Sequence, residues 1–595
     1  LDGGAYYLDG GFEIDGREIA PLDEAQIKFA TQSIVDAGIK AVAIVGVFSP
    51  LDHEGLHEER CKQIMLETAP ELRIVCSHDI GPTGFLEREN ATILNAAILR
   101  TADKVTKGFR RAMASLQLSC PLYLSQNDGT LIEADAAADY PIKTFASGPT
   151  NSMTGAAFLA GLDTAKPSSD QEEDSSEAQP QIMVVDIGGT TTDVCVLLPS
   201  GFPRQAPGFV EIAGVRTAFS MPEVVSIGLG GGSKVHVDEA SNRVVAVGPG
   251  SVGHLLTQEA MVFGGKTLTS TDIVAAAGKA ELGDLSLVKN IPASVVESGQ
   301  KQIKKMLETV VEQMKVSDAP VHMLLCGGGA LLATQDLDNV AKCIVPVHQG
   351  AANAVGAAIA KVCGDVDIVE VLAGRSESEI IEAARQRAID LAVQKGASRG
   401  SVEIVEVNKM PLQYTNNAAM RIQIRAVGKL AIPTELSPPP TPPLEKTEDQ
   451  TLPTVDEGEK LSVADGLKST IRPTLDVDLT TYRPDVRKGI WYVSEVDLEL
   501  ISTGCGVLGT GGGGPTHHEF LKSLHALRTS DKGRMRIISP SSLKDTDMVC
   551  FGSWYGSPSV INERIAGGNE IASGIEAMGR IVGREKFDAM FIDEM

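Results

Sequence analysis

The stretch VVDIGGTTTDVCVLLPSG, from Val184 to Gly201, constrains the fold most strongly. An apolar β-branched run delivers Asp186, the chain turns through Gly188, Gly189, Thr190, Thr191 and Thr192, and Asp193 opens a second apolar run. Two strand-like runs joined through glycines predict a hairpin. Glycine admits positive φ and lets backbone N–H groups approach an anion closely. The threonines add hydroxyl donors, and Asp186 and Asp193 can hold Mg²⁺ directly or through its waters. A plain surface hairpin does not require two acids around GGTTT, so the stretch reads as an anion cradle. It differs from a P-loop, whose glycines open a helix. The run AMVFGGKTL imitates the end of a P-loop, but Ala260 stands where the first glycine is needed, so it is set aside.

Two other glycine clusters accompany the hairpin. SIGLGGGSKV carries Gly230, Gly231 and Gly232 between alternating apolar residues, and reads as a glycine-rich hairpin or a ligand loop. LLCGGGALL places Gly327, Gly328 and Gly329 straight after a buried strand, a better ligand-loop signal, because residues without side chains let a base or ribose lie on the backbone.

Around these clusters strand and helix patterns alternate, which predicts α/β architecture with mixed sheets. KAVAIVGVF and RIVCSHDI read as strands, ERENATILNAAILRTADKVTKGFRRAMASL as a long helix, and SGQKQIKKMLETVVEQMKV as another. At 595 residues the chain exceeds what one core serves, and roughly four domains are expected. Its formal net charge of −25 argues against nucleic acid or an anionic membrane as the main partner. An anionic ligand must therefore be met by local dipoles or a metal ion. The nine cysteines stand singly, without zinc-ligand spacing, and are expected as buried reduced thiols in a reducing, cytoplasmic compartment. No apolar run reaches the ~18 residues of a membrane span. The chain starts at Leu1 and stops at the end of a strand-like run, so a fragment is expected.

DIGGTTTD followed by a later strand-GGGA resembles the second phosphate motif and the adenosine motif of the actin, Hsp70 and sugar-kinase superfamily. More narrowly, the chain resembles the ATP-dependent hydantoinase/5-oxoprolinase family of hydantoinase A type. SHDIGPTGFLERENATILNAAI, the SGP turn at Ser147-Gly148-Pro149 with Gly155, VGPGSVG and TLTSTDIV carry that resemblance over residues 10–365. The resemblance implies actin-like (RNase H-like) ATPase domains that use ATP and Mg²⁺. Asp186 and Asp193 would be the catalytic and metal-binding residues; 188–192, 230–232 and 327–329 would bind the nucleotide. It implies ATP-driven opening of a cyclic amide, hydantoin or 5-oxoproline, through phosphorylation of the ring carbonyl. It also implies a homo-oligomer or a complex with a hydantoinase B-type subunit. The alternatives are a non-catalytic nucleotide-binding subunit and a carboxylase subunit of the acetone carboxylase type. No earlier DxGGTxTD motif is present, and LDGGAYYLDGG is only a faint echo of it. In SQNDG, Asp128 replaces an expected glycine.

The remaining expectations concern organisation. Residues 1–162 read as an N-terminal-type domain, 163–181 as an acidic disordered insertion, and 182–365 as the ATPase domain. Residues 366–430 read as a small connecting unit and 431–485 as a proline-rich linker. Residues 486–595 resemble the beginning of the S-methyl thiohydantoin desulfurase family, a partial second α/β domain. There Gly509 to Gly514 precede a helix expected near His517, with Thr516 and Glu519 as its capping box, and serve either packing or a ligand. His57, His78 and His348 read as structural or substrate-orienting, and Glu87 and Arg88 as a cap and a salt bridge.

Overall fold

A computed structural model describes residues 4–52, 54–162, 181–197, 203–204, 206, 209–212, 215–218, 221–238, 240–333, 336–372, 375–411, 419–431, 477–509, 516–529, 535–552, 556–564 and 567–591. The acidic insertion before Gln181, most of the proline-rich stretch and the run Thr510–Gly514 lie outside the described residues.

The predicted hairpin is the centre of a five-stranded sheet. Its strands Ile182–Ile187 and Thr192–Leu197 pair antiparallel, and Val224–Ile227 continues the meander beyond the second. On the other side Val321–Cys326 pairs parallel to Ile182–Ile187, and Val340–Ile344 parallel to Val321–Cys326. An antiparallel meander extended by two parallel strands is the sheet expected of an actin-like ATPase. Both faces are covered, so the central strands read as near-continuous apolar runs. On one face the helix Ala293–Met314 lays Val295 and then Ile303, Leu307, Val310, Val311 and Met314, the last five at three- and four-residue spacing, against Met183, Val185, Val194 and Leu325. On the other face Met153, Ala156, Ala157 and Ala352 cover Val184, Cys195, Leu324 and Cys326. Each large apolar side chain so buried contributes about 1.5–3 kcal/mol.

The helix Ser147–Leu159 corrects the expected turn at Ser147-Gly148-Pro149: these residues form its first turn, where a proline lacks only a hydrogen bond that no helix makes there. It crosses the helix Ala352–Ile359 closely, since a Cβ at Gly155 would lie 1.9 Å from the Ala352 carbonyl oxygen.

Towards the N-terminus the short parallel strands Ala41–Ile44 and Arg73–Cys76 pack between the helices Glu24–Asp36, Glu58–Thr68 and Phe85–Ser115. A second five-stranded sheet runs in the order 403–411, 419–428, 361–371, 130–133, 123–125. Asp128, the departure in SQNDG, closes its own turn by accepting from the Thr130 N–H (2.9 Å) and pairs with Arg425 at 3.0 Å. The C-terminal part holds the antiparallel strands 485–487, 490–493 and 535–538 with the helices Glu495–Leu508 and Thr516–Thr529. Thr516 is already helical there, one residue before the expected start.

Among the described residues no cysteine is disulfide-bonded; six are buried, but Cys120, Cys343 and Cys505 are exposed, which corrects the expectation that all are buried. No described helix is long and apolar enough to cross a membrane.

Candidate nucleotide site

Hairpin register sets Asp186 directly opposite Asp193. Opposed residues of an antiparallel pair share a face, so the two carboxylates are neighbours. Cys326 lies beside Asp186 on the parallel strand, and the chain passes from it into Gly327.

The structure brings the three glycine clusters together. The Gly231 N–H donates to the Gly188 carbonyl (3.0 Å), the Gly232 N–H to the Gly189 carbonyl (2.7 Å), and the Gly329 N–H to the Ile187 carbonyl (2.7 Å). Gly327 has a φ of +85°, and a Cβ there would lie 2.2 Å from Asp186 Oδ1 and 2.4 Å from the Ile187 carbonyl oxygen. A Cβ at Gly230 would lie 2.5 Å from the Thr190 nitrogen. These positions therefore need glycine because other backbone passes against them. By contrast, Gly189 and Gly328 have open space.

Most main-chain donors around the two acids are already spent within the protein. The Gly188 N–H closes the turn onto the Thr191 carbonyl, and Gly230 to Gly232 and Gly329 spend theirs on protein acceptors. Among the described residues the N–H groups of Gly189, Thr190 and Gly328 have no protein partner, and all three residues are exposed. They form a lip of unpartnered donors beside the two acids. The Thr192 hydroxyl is not part of it: it is buried and donates to the Leu229 carbonyl at 2.7 Å. Thr192 thus braces the turn instead of facing a ligand.

Burial pushes the Asp193 carboxyl above its ordinary range, the Asp186 charge adds to this, and the hydroxyl of Ser226 works against it. Among the described residues neither carboxylate has an ion-pair partner. Two adjacent carboxylates without a cation, next to unpartnered main-chain donors, fit a divalent cation with a phosphate chain.

Sequence reasoning missed the braces of this site. The Ser270 and Thr271 hydroxyls donate to the Gly231 carbonyl at 2.9 and 2.7 Å, and the Ser233 hydroxyl accepts from the Gly230 N–H at 2.8 Å. TLTSTDIV signalled them: its Thr269 and Asp272 form a capping box that starts a helix against the glycine loop. The GGKT of AMVFGGKTL forms no P-loop; Gly264 follows a single 3₁₀ turn and no helix opens at Lys266.

His57 is structural, accepting from the Gly11 N–H (2.8 Å) and bonding Glu18 (2.9 Å). His78 bonds Glu58 at 2.8 Å and faces Glu59 and Asp79 at 3.6 and 3.5 Å. Burial opposes its protonation, but the Glu58 hydrogen bond and the three acids outweigh that and raise its pKa. His348 adopts a left-handed conformation that leads into a 3₁₀ turn at Gln349–Ala351. Arg88 is fully buried against Glu563.

Residues 88–287 match the family described as "Hydantoinase/oxoprolinase", residues 4–69 its N-terminal region, and residues 496–595 the "S-Me-THD-like, N-terminal domain". The chain is 26% identical over 240 residues to the caprolactamase subunit alpha of Pseudomonas jessenii, covering 40% of this chain and 32% of that protein. It is also 26% identical over 276 residues to the acetophenone carboxylase gamma subunit of Aromatoleum aromaticum, covering 44% and 34%. The chain thus spans about a third of the length of these curated relatives. A crystal structure of ATP-dependent caprolactamase from Pseudomonas jessenii shares the fold, with a TM-score of 0.54 and 16% identity over 73% of this chain and 70% of that one.

Proposed function

We propose that this chain, whose residues 4–69 and 88–287 match the hydantoinase/oxoprolinase family, is the nucleotide-binding part of an ATP-dependent hydrolase that opens a cyclic amide of the hydantoin or 5-oxoproline type. The observation that supports it best is the convergence of three glycine segments on the Asp186–Asp193 pair, with unpartnered donors at Gly189, Thr190 and Gly328. An unstrained ring amide is a poor electrophile, and bound ATP supplies the phosphoryl group that makes its carbonyl carbon reactive toward water. The lip donors orient phosphate oxygens without having to reorganise, because Ser233, Ser270 and Thr271 fix the loops behind them. Asp186 and Asp193 would hold Mg²⁺, which would balance phosphate charge that the acidic chain otherwise repels. The Gly327–Gly329 segment seats the adenosine. Both curated relatives are named subunits, which favours work within a complex, with a hydantoinase B-type subunit as the expected partner. The second reading is an ATP-dependent carboxylase subunit, favoured by the match to an acetophenone carboxylase subunit.

The test is phosphate release with ATP and Mg²⁺ against 5-oxoproline, hydantoin and N-methylhydantoin, with Asp186→Ala alongside. Release that needs one ring and vanishes in the variant supports the hydrolase. Release that instead needs bicarbonate and a ketone moves the assignment to the carboxylase. Tight ATP binding with no turnover under either condition leaves a nucleotide-binding subunit.

A further inference from the structure

Glu563 lies 475 residues after Arg88 in the chain, in the segment that matches the S-Me-THD-like domain, yet both are buried, at 1% and 0% exposure. Its carboxylate is saturated by donors from residues 48–88. Oε1 accepts from the Gly84 N–H (2.6 Å) and Arg88 Nη1 (2.5 Å); Oε2 accepts from the Phe48 N–H (2.9 Å) and Arg88 Nη2 (2.9 Å). Two parallel guanidinium bonds with two main-chain N–H groups make a fork shaped for one carboxylate.

The receiving side is also held by bonds that do not involve Glu563. Arg88 also donates from Nε to the Ser77 hydroxyl (3.0 Å), from Nη1 to the Pro82 carbonyl (3.0 Å) and from Nη2 to the Gly46 carbonyl (2.8 Å). Ser77 in turn donates to Glu58 (2.6 Å), which also accepts from the Gly46 N–H (2.6 Å). The guanidinium is therefore oriented by its own region. Both main-chain donors sit on unusual backbone: Phe48 is left-handed at φ +52°, and Gly84 has φ +133°. A buried non-glycine residue in that region costs free energy, and such residues cluster where geometry serves a ligand. Gly84 also precedes the helix Phe85–Ser115, whose N-terminus favours an anion.

We infer that Phe48, Gly84 and Arg88 form a receptor for a single carboxylate, that Glu563 fills it from within the chain, and that a small carboxylate-bearing ligand takes the same donors when Glu563 is withdrawn. The C-terminal segment is then an internal competitor as well as a neighbour. Among ring substrates this favours 5-oxoproline, which carries a carboxylate, over hydantoin, which does not. That choice rests on the hydrolase reading, whereas the receptor itself does not.

The experiment is calorimetric titration of the whole chain, without ATP, with acetate, 5-oxoproline and hydantoin, against chloride at matched ionic strength. Wild type, Glu563→Ala, Glu563→Gln and the double variant Glu563→Ala/Arg88→Met are compared, with circular dichroism as the folding check. Glu563→Ala should bind acetate and 5-oxoproline saturably and at least tenfold more tightly than wild type, ignore hydantoin and chloride, and lose binding in the double variant. Glu563→Gln keeps the side-chain shape, provides a folded version if the alanine variant unfolds, and should show the same order of ligands. Carboxylate affinity no better than wild type in folded Glu563→Gln overturns the proposal, as does binding that survives Arg88→Met. Carboxylate binding without ring-dependent phosphate release removes only the hydrolase reading. Ring-dependent release without carboxylate binding removes only the receptor.

Discussion

At the glycine lip the donors are main-chain N–H groups of Gly189, Thr190 and Gly328, which have no partner among the described residues and lie at an exposed edge; at Arg88 a guanidinium and two main-chain groups already meet a buried carboxylate. The first site spends few side chains and depends on where glycine lets backbone pass. The second depends on charge, and its parts come from opposite ends of the chain. The contrast teaches what each kind of damage should do. Harm to the lip should cost ligand binding before stability, except where glycines touch other backbone. Harm at Arg88 should cost stability at once, because an unpaired charge is left buried.

The largest effect is expected at Arg88. Arg88→Met strands the Glu563 carboxylate and should lower unfolding free energy in urea by about 3–5 kcal/mol. Adding Glu563→Gln should recover part of that loss; no recovery would break the idea that the pair is coupled. Next comes Gly327→Ala, whose new methyl meets Asp186 and the Ile187 carbonyl at a positive φ. A loss of about 2–5 kcal/mol by the same measurement is expected, with loss of nucleotide binding.

Much of the lip could be read in the sequence because its signal is local. Asp186 and Asp193 stand on one hairpin, so spacing alone sets them opposite one another, and GGTTT names the turn between them. The GGGA strand was also legible, since apolar residues run straight into glycine. What spacing could not supply was the meeting of Gly188 with Gly231 and of Ile187 with Gly329, which depends on strand order in the sheet. Nor could it tell Thr192, buried and bonded to Leu229, from Thr190, exposed at the lip. At Arg88 a salt bridge was legible from a charged residue near a helix start. Its partner was not, because nothing local in GSPSVINER marks Glu563 as the acid that crosses the chain.

The acid pair offers a sharper test through pH. Burial and Asp186 raise the Asp193 pKa above its ordinary 3.8, so the folded state disfavours the charged form. Its stability penalty is absent below the unfolded pKa, grows as pH rises through the window up to the folded pKa, and then stays constant. Asp193→Asn should therefore be more stable than wild type in urea at neutral pH, with the advantage vanishing below about pH 3.8. Mg²⁺ should narrow the advantage at neutral pH by stabilising wild type alone. The smallest effect is Gly189→Ala, where a Cβ meets nothing within 4 Å. Its stability should stay within about 0.5 kcal/mol of wild type, which isolates the Gly327 effect as contact with other backbone.

The bonds that join Gly231 to Gly188 and Gly329 to Ile187 also set an order in time. The hairpin Ile182–Leu197 consists of near neighbours and can close as soon as it leaves the ribosome. The third wall needs the strand Val321–Cys326 to dock beside Ile182–Ile187, with Gly327–Gly329 following it, more than a hundred residues later in synthesis. Pairings over such separations form late. On the proposed function, a nascent chain ending before residue 329 would carry the hairpin without its Gly327–Gly329 wall, and nucleotide should protect only longer chains from proteolysis. Under that same proposal, ATP in the cell would act on this protein's maturation, rewarding only chains whose last glycine segment has arrived.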